Sequence, residues 1–137
     1  MAEFDTGRIG EGQRPYIIAE AGVNFRNDID LGKAFITEAA AAGADAVNSR
    51  MSLYELSIKQ HQELKQHCAD NNIDFLSTPF SIAAVERLEK LDVETYKVGS
   101  GELANHHLLQ TIAETGKPMI VSTGMHNMDT VREAAEL

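Results

Sequence analysis

Five times along this sequence a short apolar run closes in glycine, hydroxyl or charged residues and gives way to a stretch with helical spacing. That alternation constrains the fold more than any other feature. Tyr16-Ile17-Ile18-Ala19 runs into Glu20-Ala21-Gly22. The helix that follows takes Asp28 or Asp30 as its cap, carries Leu31, Ala34, Phe35, Ile36 and Ala39, and stops at Gly43. Ala44-Asp45-Ala46-Val47 opens a second strand, and Ser57 caps a helix with Ile58, Leu64 and Cys68. Ile73 to Thr78 is a third strand, stopped by Pro79. Ser81 opens a helix with Ile82, Val85, Leu88 and Leu91 at spacings of three. Thr95 to Val98 leads into Gly99-Ser100-Gly101-Glu102, and a helix through Leu108, Leu109 and Ile112 ends at Gly116. Pro118 to Val121 runs into Ser122-Thr123-Gly124-Met125, and Asp129 is expected to cap a final helix.

Strands beginning near residues 16, 45, 73, 94 and 118 and separated by helices predict a parallel sheet, because parallel neighbours need a crossover connection. The strands are apolar runs and not strict alternations, as expected where both sheet faces are covered. Two α/β architectures satisfy the pattern: an open doubly wound sheet, or part of a (β/α)8 barrel, which takes about 250 residues when whole.

Composition narrows the partners. Twelve Lys+Arg against 21 Asp+Glu give the 137-residue chain a net charge of −9, which argues against a nucleic-acid or anionic-membrane surface. A lone Cys68 rules out an internal disulfide framework and a cysteine-rich zinc site. The first fifteen residues hold no apolar run suited to a signal peptide, and nowhere do about 18 apolar residues follow one another, so a soluble, cytoplasmic protein is expected.

The chemically distinctive residues sit at the carboxyl end of each strand: Glu20; Asn48 and Arg50; Thr78; Lys97, Ser100 and Glu102; Ser122 and Thr123. In parallel α/β folds those ends share one rim, where ligands bind. Two carboxylates, an ammonium and several hydroxyls beside glycines suit a polar, anionic small molecule. Lys97 stands between apolar neighbours, where an unpaired ammonium would be costly. His61, His67, His106 and His107 lack metal-ligand spacing and read as surface or packing residues, and Cys68 as a small buried one. Lys59, Lys65, Glu133 and Glu136 read as solvated helix faces.

Five segments, Tyr16–Asn24, Gly43–Val47, Phe75–Phe80, Tyr96–Glu102 and Gly116–Met125, resemble in order the motifs of the sialic acid synthase (N-acetylneuraminate synthase) family, which includes legionaminate and pseudaminate synthases. The resemblance implies that residues 1–137 form the first five strands of a (β/α)8 barrel domain, with no second domain. It implies condensation of phosphoenolpyruvate with N-acetylmannosamine or a related N-acetylated amino sugar. Thr78, Lys97, Ser100 and Ser122 would bind phosphoenolpyruvate. Glu102 would assist proton transfer or position the sugar, and Glu20 would order the same pocket. A divalent metal, Mn2+ or Mg2+, is expected for the family as a Lewis acid, with its two histidine ligands on later strands, so no metal ligand is assigned here. Homo-oligomers are compatible with the family.

The sequence departs from the family pattern in three places. Asn48 and Arg50 stand where the family has a lysine and a glutamine, and Asn24-Phe25 where it has Asn-His. Ser49 to Leu56 directly bridge a point at which the family has a long excursion.

Overall fold

Strand pairing decides between the two architectures. The computed structural model describes residues 8–22, 24–51 and 56–137, with only the backbone of Arg50 and Met51. Strands β1 (Ile18–Gly22), β2 (Ala46–Met51), β3 (Asp74–Pro79), β4 (Tyr96–Val98) and β5 (Met119–Val121) form one sheet in the order β1-β2-β3-β4-β5, and every neighbouring pair is parallel. A doubly wound sheet reverses its strand order at a switch point, and this one does not. Right-handed crossovers that always step the same way leave every helix on one face, which is the winding of a barrel wall. The fold is therefore five consecutive strands of an incomplete (β/α)8 barrel.

Helices α1 (Ile29–Ala41), α2 (Ile58–Asp70), α3 (Ile82–Lys90), α4 (His106–Ala113) and α5 (Met128–Ala135) fill the intervals. Their apolar stripes meet one face of the sheet in two clusters. In the first, Val85 and Leu88 of α3 and Leu108, Leu109 and Ile112 of α4 close over Tyr96 and Val98. In the second, Ile36 of α1 and Leu64 and Cys68 of α2 close over Val47, with Phe25 beside them. Each fully buried leucine or isoleucine contributes about 1.5–3 kcal/mol relative to exposure. Burial also raises the Cys68 thiol to about 12, which leaves it a packing residue as expected.

The helix starts follow the sequence closely. Asp28 accepts from the Leu31 N–H at 3.1 Å, Ser57 forms a capping box with Gln60, and Ser81 accepts from Ala84 N. One cap differs: Asn127, not Asp129, caps α5, because its Oδ1 reaches both the Asp129 and Thr130 N–H groups while Asp129 lies in the first turn. Gly43 and Gly116 take φ of +85° and +72° after α1 and α4, the left-handed stop expected of glycine.

β1 begins at Ile18 and not at Tyr16. The Ile17 carbonyl accepts from the Asp45 and Ala46 N–H groups, but its own N–H is taken by the Asp45 carboxylate at 2.8 Å, so a side chain holds the backbone just before the strand. Asp45, 3% exposed at its side chain, also pairs with Arg8 at 3.1 Å and with Arg14. Arg8 continues to Asp74 at 2.8 Å, and the Tyr16 hydroxyl donates to the same carboxylate. The lead-in is thus fastened across the amino ends of β2 and β3. Lys65 is a second correction: its Nζ donates to the Leu91 carbonyl at 2.8 Å and to that of Asp92, carbonyls that the end of α3 leaves without helical partners.

Candidate functional site

The face of the sheet turned from the helices carries the polar residues. Strand register aligns Glu20 with Asn48, and Arg50 with Thr78 two residues beyond the Asn48–Leu76 pair. Ser77 pairs with Tyr96, which brings Thr78 level with Lys97, and Lys97 pairs with Ile120. Since side chains alternate along a strand, Glu20, Asn48, Thr78 and Lys97 share one face, toward its carboxyl end.

They meet in one network across four strands. The Lys97 Nζ lies 2.7 Å from Glu20 Oε1. Asn48 donates its Nδ2 to Glu20 Oε2 at 2.8 Å, and its Oδ1 accepts from the Thr78 hydroxyl at 3.2 Å. The amide orientation follows from chemistry: a carboxylate only accepts, so the amide nitrogen must face Glu20 and the oxygen must face the hydroxyl. Asn48 and Thr78 are buried, at 1% and 3% exposure, so both have exchanged water for protein partners. Glu20 is open, with its side chain 52% exposed, while that of Lys97 is 17% exposed. An ammonium has three donors, and the Glu20 contact uses one. Lys97 can therefore keep Glu20 and still donate to an incoming oxyanion.

The other assigned residues stand on the turns just beyond. Ser100 and Glu102 form a single 3-10 turn after β4, closed by Glu102 N donating to Gly99 O at 2.9 Å. The Glu102 carboxylate accepts from Asn105 Nδ2 at 2.8 Å, and Asn105 in turn caps α4 through Leu108 N. Ser122 follows β5 directly, its N–H donating to Val98 O at 3.0 Å, which adds one rung to the β4–β5 ladder. So the structure joins Glu20, Thr78 and Lys97 through Asn48, and sets Ser100, Glu102 and Ser122 on the two adjoining turns without tying them to that network. The Arg50 side chain and residues 52–55, where the shortened connection falls, lie outside the described residues.

Two residues join the candidate site that strand-end chemistry alone does not assign. Asn48 links both carboxylate and hydroxyl. His126 Nε2 lies 2.8 Å from the Ser100 carbonyl. The remaining histidines do not reach the rim network: His61 is buried with Nδ1 on Ser57 O at 3.1 Å, and His67 meets Thr37 at 3.0 Å. Among the described residues no three His, Cys, Asp or Glu side chains group to hold a metal, and Glu20 is already committed to Lys97 and Asn48. The described residues do not fit the Mn2+ or Mg2+ expected for the family. No described helix is long and apolar enough to cross a membrane.

Known proteins resemble this chain in sequence and fold. The NeuB family model matches residues 32–137. An uncharacterized protein of Methanocaldococcus jannaschii is 38% identical over 94% of this chain and 43% of its own length. The N,N'-diacetyllegionaminic acid synthase of Campylobacter jejuni is 35% identical over 89% of this chain and 46% of its own. That second alignment runs over 153 residues, so the relative has positions with no counterpart in a chain of 137. The crystal structure of the N-acetylneuraminic acid (sialic acid) synthetase of Leptospira borgpetersenii in complex with citrate superposes with a TM-score of 0.85 at 28% identity, over 93% of this chain and 53% of that one. The chain thus spans about half the length of the proteins it matches. A family match over most of the sequence, two relatives above 30% identity and a shared barrel wall place this chain in the NeuB family.

Proposed function

We propose that this chain carries the phosphoenolpyruvate-binding side of a sugar-acid synthase, which condenses phosphoenolpyruvate with N-acetylmannosamine or a related N-acetylated amino sugar and releases phosphate. The observation that carries the reading is the continuous Lys97–Glu20–Asn48–Thr78 network on one face of four consecutive strands. Lys97 supplies the positive charge for the phosphate or carboxylate, and Glu20 and the buried Asn48 hold it in register. The Ser100 and Ser122 hydroxyls add neutral donors from the adjoining turns. Glu102 lies beyond them, where it would position the sugar or move a proton as the enol carbon attacks the aldehyde. The citrate bound by the Leptospira protein suits an anion site of this kind. The 137 residues would contribute five consecutive βα units to a barrel domain, with small molecules as partners.

Calorimetric titration with phosphoenolpyruvate tests the reading. The chain should bind it, and Lys97→Met should weaken binding by about 100-fold or more, since a charge-assisted contact to a multiply charged anion is removed. Equal affinity in the two proteins, or no binding to either, would overturn it.

A second reading is a catalytically silent chain that binds an anion or pairs with a full-length synthase. It is favoured by the lack, among the described residues, of three His, Cys, Asp or Glu side chains grouped to hold a metal. Phosphoenolpyruvate binding with no phosphate release on addition of N-acetylmannosamine and Mn2+ would select it.

A further inference from the structure

We infer that His126 is a positioning residue for the anion side of the rim: it bolts the turn after β5 to the turn after β4, and so fixes the backbone that presents Ser100. This rests on the anion-site reading above.

The Ser100 carbonyl has two partners. One is the Leu103 N–H at 3.4 Å, at the long limit of a hydrogen bond, and the other is His126 Nε2 at 2.8 Å. A carbonyl only accepts, so Nε2 carries the hydrogen and His126 donates. The imidazole therefore supplies the shorter of the two hydrogen bonds on the Ser100 carbonyl, and adds a restraint from outside to the turn that Glu102 N and Gly99 O close.

The donor itself stands on a braced loop. Ser122 is held by Val98, the His126 N–H closes a turn on Thr123 O at 3.1 Å, and Asn127 is fixed as the cap of α5. The β4–β5 ladder ends at the Ser122 rung, and past it the two turns have His126 as their cross-link among the described contacts. Two turns that each offer a hydroxyl are thereby kept at one separation, which is what preorganised binding of a single anion requires.

The test compares wild type, His126→Ala and His126→Gln, whose amide nitrogen can reach where Nε2 stands. Phosphoenolpyruvate affinity is read by calorimetry, and amide hydrogen exchange is read at Glu102 and Leu103. The alanine variant should bind about 5- to 10-fold more weakly, the worth of one neutral hydrogen bond. Its melting temperature should move by under about 4 °C, and exchange at the two amides should quicken. Glutamine should restore both affinity and protection, which loss of packing alone would not allow. Wild-type affinity and protection in the alanine variant, or failure of glutamine to restore them, overturns the inference. If wild type itself shows no binding, the anion-site reading falls, and the exchange measurement alone decides the bolt: unchanged protection in the alanine variant rejects it.

Discussion

The two ends of the sheet are both built from charged residues, but they solve opposite problems. At the amino end Asp45 is almost fully covered, and two arginines and a backbone N–H saturate its carboxylate. Glu89 is matched there by Lys117 at 2.7 Å and by the Tyr96 hydroxyl at 2.6 Å. At the carboxyl end Glu20 is half exposed, and Lys97 keeps donors in hand. One end has its polar groups spent on the protein itself, while the other holds some in reserve. In barrels of this type the first pattern serves stability and the second serves ligands.

Substitutions should separate the two ends. Asp45→Asn should have the largest effect on stability, about 2–3 kcal/mol in urea denaturation, because it leaves two arginines facing a neutral group; the figure allows for the exposure of both arginines. Phosphoenolpyruvate affinity should be unchanged, and a parallel loss of binding would erase the distinction between the ends.

Acid should attack the same end. The Arg14 hydrogen bond, aided by Ile17 N–H and Arg8, holds the Asp45 carboxyl below its ordinary range despite burial. Burial pushes the Glu89 carboxyl up, but Lys117 and Tyr96 outweigh it and hold it low as well. Both groups have lower pKa values folded than unfolded, so the unfolded chain takes up protons first as pH falls. The stability they confer is complete above the usual carboxylate range near pH 4 and is lost below it, as pH falls toward the folded values. Melting temperatures from pH 7 to pH 3 should therefore drop on the acid side, and less steeply in Asp45→Asn.

Asn48→Ala lies between the extremes. It should cost about 1–2 kcal/mol, since the buried Thr78 hydroxyl loses its acceptor, and it should also weaken phosphoenolpyruvate binding by freeing Glu20. Lys97→Met should change stability least, by under about 1 kcal/mol, because its partner carboxylate is half in water. Ranking these three by urea midpoint and again by affinity should give different orders. Matching orders would mean that the rim is merely structural.

Much of this was legible in the sequence because each βα unit announces itself locally. Ser57, Ser81 and Gly43 mark boundaries through their own backbone chemistry, and Glu20, Thr78 and Lys97 stand out as polar groups ending apolar runs. What stayed hidden depends on register between strands. Asn48 becomes a hub because it pairs with Glu20 while Thr78 stands two residues past its other neighbour, and apolar runs covered on both faces do not encode that offset. The Arg8 and Arg14 fastening and the His126 bridge join residues 66, 31 and 26 positions from their partners, far beyond the reach of periodicity.

The unbroken strand order also has a bearing on how the protein is made. Every rung of the sheet links a strand to the one synthesised next, so each unit can settle on its predecessor as it leaves the ribosome, without waiting for a distant partner. Side-chain contacts reach further: Arg8 and Tyr16 meet Asp74 only once the third strand is in place, and Glu20 meets Lys97 only with the fourth. The Glu20–Lys97 pair is thus the last link of the rim network to close, a built-in check that four units have assembled in order.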